Sequence, residues 1–220
     1  MSSLAIINLG LILSGDLAKP LLEGDCLVVE EGKISSVGVA SQLNPHDADT
    51  VIDAAGSAVM PGLIDSHFHV VFGDYQPRQK VVDFIDSYVH GGVTSMISAG
   101  EIHTPGRPRD AVGVKALAVA AQRSYANFHP NGAKVHAGAV ILEPTLSEAD
   151  LAELAGNGVF LAKYGFGDFA DPYDGEPQIR WAQQHGIKVM VDKKSYIFLV
   201  GTELEFSDGL NGKGFVFVNP

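Results

Sequence analysis

From Met60 to Asp192 the chain keeps one rhythm, a short apolar strand-like run followed by a helix-like one. LIDSHFHVVF, GVTSMISAG (92–100), VHAGAVIL (135–142), VFLAKYG (159–165) and IKVMVD (187–192) are the strand-like runs. Between them Val81, Val82, Ile85, Tyr88 and Val89 fall at helical spacing, with Gly91 as a C-terminal stop. An alanine-rich helix is expected from Asp110 to about Ser124, a third helix after a Ser147 cap, and a fourth between Pro177 and Gly186. Such alternation demands a parallel sheet with crossover helices, either an open doubly wound sheet or part of a (β/α) barrel.

The flanks follow other patterns. Residues 1–56 read as β structure: LAIINLGLIL is strand-like, and CLVVEEGKISSVG holds a tight turn at Glu31-Gly32. The first of these runs has no basic n-region and is too short to span a bilayer, so it is read as a strand and not as a signal peptide. Residues 193–220 show no helix signal and several β-like runs separated by Gly and Asn. Three parts are therefore expected, with boundaries 1–56, 57–192 and 193–220.

Composition narrows the partners. With 46% hydrophobic and 19% charged residues a packed core is expected. A net charge of -11 argues against nucleic acid or anionic membrane, since phosphate binding needs clustered Lys and Arg. One cysteine, Cys26, excludes an internal disulfide and fits a reducing, cytoplasmic compartment.

Chemistry concentrates in VMPGLIDSHFHVVFG, which starts at Val59. On a strand residues two apart point the same way, so His67 and His69 share a face with Asp65. Two imidazoles with Cα atoms about 7 Å apart can converge on one ion, and neutral imidazole suits zinc and iron. A bare His-x-His is often only an exposed pair. Here it ends an apolar strand, where ligand sites of α/β folds gather.

PGLIDSHFH resembles the PG(L/F)ID-x-H-x-H signature of the amidohydrolase superfamily, and VVEEGKI resembles the strand-turn-strand of its small N-terminal β domain. GGVTSMISAGEIHTPGRPRD and WAQQHGIKVMV are most similar to the enamidases of that superfamily. The resemblance covers residues 1 to about 191. It implies an α/β fold, a partial (β/α)8 TIM barrel of the metallo-dependent hydrolase type with a small N-terminal β-sandwich domain. It also implies a metal-dependent hydrolase of a C–N bond in a cyclic amide, using one or two Zn2+ or Fe2+ ions per chain. His67 and His69 would bind the first metal. Lys163 stands where related proteins place a carboxylated lysine bridging two metals; a plain lysine ending the strand is the other reading. The implied partner is a small-molecule substrate, and a homo-oligomer is expected.

Other residues follow from position. Glu101 and His103, just past the second strand, are candidates to touch substrate or to support the site from behind. Arg107 and Arg109 can offer a guanidinium fork to a substrate carboxylate. His136 opens the third strand, and a structural role is expected there. His90 ends a helix, where the dipole explains it. Tyr164, Phe166 and Asp168 are candidates to wall the pocket. His46, His129 and His185 are assigned nothing.

Two expectations from the resemblance have no counterpart. A histidine ending the fifth strand is replaced by Asp192 or Lys193, and the later strands with their histidine and catalytic aspartate are missing. Residues 57–192 are roughly half of the about 250 that a (β/α)8 barrel needs. Three readings stay open: a superfamily member truncated or frameshifted after about Val191, a natural short form, or a catalytically silent metal or small-molecule binding protein. The first is favoured for ancestry. No catalytic residue is assigned, and turnover by this chain alone is not expected.

Overall fold

LAIINLGLIL does not form one strand. The chain turns at Asn8, whose φ of +54° is left-handed, a conformation that Asn tolerates better than most residues. β1 (Ser3–Ile7) and β2 (Leu11–Leu13) therefore enter different sheets. The structure is a computed structural model that describes residues 2–70, 81–102, 106–189, 203–207 and 214–218. It divides into two units, Met1–Leu63 and Ile64–Pro220.

In the first unit β3 (Leu21–Leu22), β4 (Cys26–Glu30), β5 (Lys33–Gly38), a short α1 (Ala40–Leu43), β6 (Thr50–Asp53) and β7 (Ala58–Val59) follow. One sheet has the order β5-β4-β1-β6 and the other β3-β2-β7. Glu31 and Gly32 both have positive φ, the requirement of the two-residue hairpin turn that joins β4 to β5. Leu9, Ile12 and Leu27 are buried, with Leu22, Val29, Val37 and Val59 packed on them. This cluster draws on both sheets, as in a β-sandwich. Cys26 is buried as a free thiol.

The second unit runs β8 (Leu63–Phe68), α2 (Val81–His90), β9 (Val93–Ser98), α3 (Ala111–Ala126), β10 (Lys134–His136), β11 (Val140–Ile141), α4 (Glu148–Gly156), β12 (Ala162–Lys163) and α5 (Glu176–Gln184). A hairpin of β13 (Glu203–Ser207) and β14 (Gly214–Val218) completes it, antiparallel with Glu205 opposite Val216. The helix signals act as read. Asp110 caps α3 by accepting from the Gly113 N–H, Ser147 and Asp150 form a reciprocal capping box on α4, and Pro177 lies in the first turn of α5.

The strands pair in chain order. β8, β9 and β10 are neighbours, with Val135 of β10 parallel to Met96 of β9. A parallel bridge from Glu101 to Val140 carries the order on to β11. β11 pairs parallel to β12, with Ile141 opposite Lys163, and Leu161 bridges to Lys188. The alternation thus produces an α/β unit that follows the small β unit in sequence. Among the described residues no helix is long and apolar enough to cross a membrane.

The third strand differs from its expected span. VHAGAVIL is interrupted between His136 and Val140, where Gly138 has φ +85°. A Cβ on Gly138 would lie 2.6 Å from the Ala118 carbonyl oxygen, so glycine lets α3 approach the sheet. α3 then joins two cores. Val114 and Ala118 pack with Val140, Leu142, Leu151 and Leu154, whereas Ala121 and Tyr125 pack with Phe68, Ile85 and Met96.

Phe68 is only 2% exposed and Leu17 is 97% exposed. Phe68→Ala is expected to lower stability by about 3–5 kcal/mol, and Leu17→Ala by no more than about 0.5 kcal/mol. Urea unfolding of the two variants checks both values, and equal losses would mean that Phe68 anchors nothing.

Candidate metal centre

The site starts from the packing of one aromatic ring. Phe68 stacks on Phe84 at 5.1 Å and meets Tyr88 edge-on, also at 5.1 Å. Both partners belong to α2. With Phe68 turned toward the helix, strand alternation sends its two neighbours to the opposite face. His67 and His69 stand there with ring centroids 5.1 Å apart. The Asp65 carboxylate accepts the backbone N–H of His67 at 2.9 Å, which stiffens the strand end.

The two imidazoles differ in setting. His67 is exposed and His69 half-buried. Burial, and then the neighbouring His67, hold the His69 pKa below the usual imidazole range, which favours the neutral ring. Neutral imidazole is the form that ligates metal. Its ring N–H donates to the backbone of Gly100, and Lys163 lies near enough to act on it electrostatically. His67 and Lys163 line one cavity of about 100 Å³ together with Ser66, Ser98, Leu161 and Lys188. The Lys163 ammonium also lies 5.3 Å from the centre of the Phe166 ring. Histidine pair and lysine come together as their strand positions suggest.

Glu101, expected to touch substrate or to support the site from behind, is not at an exposed edge. It is 2% exposed, inside the sheet, because its backbone continues the pairing from β9 to β11. Its Oε1 accepts from the Ser98 hydroxyl at 2.7 Å and from the Gly138 N–H at 3.1 Å. Burial pushes the carboxyl pKa up to about 7, although both hydrogen bonds favour the charged form.

Arg107 also departs from expectation, because the carboxylate it meets is internal. Its Nη2 lies 2.5 Å from Oε1 of the buried Glu143, and it donates to the Phe166 carbonyl. Glu143 Oε2 accepts the Asp168 N–H at 2.6 Å. The exposed Arg109 pairs with Asp168 at 2.9 Å. These contacts tie the segment after β9 to the segment after β12 across the end of β11. His136 faces Phe160 edge-on at 5.9 Å. His103 and the Asp192-Lys193 pair lie outside the described residues.

Sequence reasoning passed over Glu143 and Ser98. One signal was available for Glu143: it directly follows the apolar run VIL, as Glu101 follows MISAG and Lys163 follows VFLA. Ser98 carries no such signal in a run of small residues.

Known proteins bear directly on this arrangement. The chain is 50% identical over 192 residues to an enamidase of Eubacterium barkeri, covering 87% of this chain and 50% of that one. A solved enamidase structure, described as a member of the amidohydrolase superfamily, matches with a TM-score of 0.78 at 51% identity, over 85% of this chain and 49% of the other. The chain belongs to the amidohydrolase superfamily. It spans about half the length of the curated relatives it matches. An imidazolonepropionase of Mycolicibacterium smegmatis is 36% identical over 105 residues, covering 45% of this chain and 26% of the relative. A triazine hydrolase variant shares the fold at a TM-score of 0.51 and 15% identity, over 84% of this chain and 58% of that one. No protein-family model matches the chain.

As a superfamily member, the chain has a donor set that suits a divalent ion. Two imidazoles stand together, burial disfavours the charged form of one, and an amine able to become an oxygen donor is close by. Among the described residues His, Cys, Asp and Glu form no cluster of three. The imidazole pair is the set of possible nitrogen donors that these residues bring together.

Glu101 sets a pH dependence. Its ordinary carboxyl value is 4.5 and its folded value about 7. Between these the unfolded chain releases a proton that the folded chain keeps, so stability falls as pH rises. The contribution is complete below the lower value and lost above the upper one, a total on the order of 3 kcal/mol at about 1.4 kcal/mol per pKa unit. Glu101→Gln is expected to flatten urea-derived stability between about pH 5 and pH 8. Equal slopes for the two proteins would contradict the burial argument.

Proposed function

We propose that the chain supplies the first half of the metal centre of a hydrolase that opens the C–N bond of a cyclic amide, in the manner of an enamidase. The observation that carries the proposal is the convergence of His67 and His69 on one face, 5.1 Å apart. The likeness to enamidase supports the choice of reaction. His67 and His69 would hold a first Zn2+ or Fe2+ ion, and Lys163, as a carbamate, would give an anionic oxygen to a second. Such an ion would supply activation of water and polarisation of the amide carbonyl.

The remaining steps belong to the chain's own side chains. His69 keeps a nitrogen lone pair available because burial disfavours its protonation. Lys163, brought toward the histidines by the pairing of β11 with β12, presents its amine to the shared cavity. Glu143 and Arg107 hold the segment that follows Lys163, and a substrate contact from His103 completes the reading. The partners proposed are a small cyclic amide and further copies of the chain, in a reducing compartment where the Cys26 thiol persists.

Elemental analysis of purified protein is expected to find about one or two transition-metal ions per chain. His67→Ala together with His69→Ala should remove them, and unchanged metal content would end the proposal. Assays on cyclic enamides, dihydropyrimidines and lactones with added Zn2+, Fe2+ or Mn2+ then separate hydrolase from binding protein. Turnover that requires both histidines identifies a hydrolase, and bound metal without turnover identifies a binding protein.

A further inference from the structure

A histidine that binds a metal uses one ring nitrogen for the ion and needs the other protonated and held, or ring orientation and tautomer drift. His69 gives that second N–H to the backbone of Gly100. Gly100 is itself held from behind. Its N–H donates to the Ser98 hydroxyl oxygen at 3.2 Å, and that hydroxyl donates to Glu101 Oε1 at 2.7 Å. The same carboxyl oxygen accepts the Gly138 N–H, and the Glu101 N–H donates to the Ala139 carbonyl at 3.0 Å. The Gly100 peptide is thus fastened to the neighbouring strand through two buried polar side chains.

We infer that Ser98 and Glu101 form a buried brace that fixes the Gly100 carbonyl and so sets the tautomer and aim of His69, an inference that rests on the metal-centre reading. Packing alone does not account for the pair. Both residues are buried, where an apolar side chain would fill the space without the cost of desolvating a carboxyl. Glu101 Oε2 has no hydrogen-bond partner among the described residues, so Oε1, which meets Ser98 and Gly138, carries the ordering. Ser98 also lines the cavity shared by His67 and Lys163, which joins the brace to the site. Ser98 and Glu101 are positioning residues in this account. They act on the metal only through Gly100 and His69.

The test uses the 220-residue chain. Zn2+ affinity is measured by competition with a chromophoric chelator, and 15N-imidazole NMR of the metal-free protein reads the His69 tautomer. Ser98→Ala and Glu101→Ala are expected to weaken Zn2+ binding by about 10–100-fold and to turn a single His69 tautomer into a mixture. Glu101→Gln, which keeps an acceptor for Ser98, restores most of the affinity lost in Glu101→Ala. Leu151→Ala, a core cavity in α4, lowers stability and leaves both readouts unchanged. Ser98→Cys, similar in volume and weaker in hydrogen bonding, serves if Ser98→Ala does not fold. Parent-like affinity and a single tautomer in Ser98→Ala and Glu101→Ala would overturn the brace and leave the metal centre standing. Should the parent bind no Zn2+, the metal reading falls, and the metal-free tautomer comparison still decides the brace.

Discussion

The stacking of Phe68 on Phe84 and Tyr88 is the contact on which the site depends. A strand has two faces, and burying one residue toward a helix sends its neighbours the other way. Between two histidines, a large ring with a deep seat therefore works as an orienting device. Burial of Phe68 stabilises the fold through apolar area, and the same burial brings two imidazoles together. A polar residue at that position would leave the orientation of His67 and His69 unspecified, because a one-residue slip exchanges the faces of a strand.

Around this anchor the unit repeats one arrangement. Each apolar run ends in a residue able to bind a proton or a metal: His69, Glu101, Glu143 and Lys163. Two of them are consumed internally. Glu101 bonds Ser98 and Gly138, and Glu143 takes Arg107 and the Asp168 N–H. A buried ion pair adds little net stability unless its remaining hydrogen bonds are met. Here the second Glu143 oxygen meets a backbone donor, and Arg107 reaches the Phe166 carbonyl as well. The effect is one of geometry: the segment after Lys163 is attached to the end of β11. His67 and Lys163 line a shared cavity instead.

What could be read from the chain was what local patterns determine. The strand-helix alternation, the Ser147 cap and the Glu31-Gly32 turn depend on residues near in sequence, and they formed as read. The face shared by His67 and His69 was legible for the same reason. The fate of Glu101 and Arg107 was not. Their partners Gly138 and Glu143 stand more than thirty positions away, and only tertiary pairing tells a rim carboxylate from a buried one. The break at Gly138 was hidden likewise, since it answers to the approach of Ala118 from α3.

X-ray absorption spectroscopy of the metal-loaded chain addresses the central claim most directly, because it sees the ligands and not the turnover. The account predicts two imidazole nitrogens at about 2.0–2.1 Å from a zinc ion, with the imidazole scattering lost in His67→Ala and in His69→Ala. A spectrum of oxygen ligands alone, unchanged by either substitution, would contradict it.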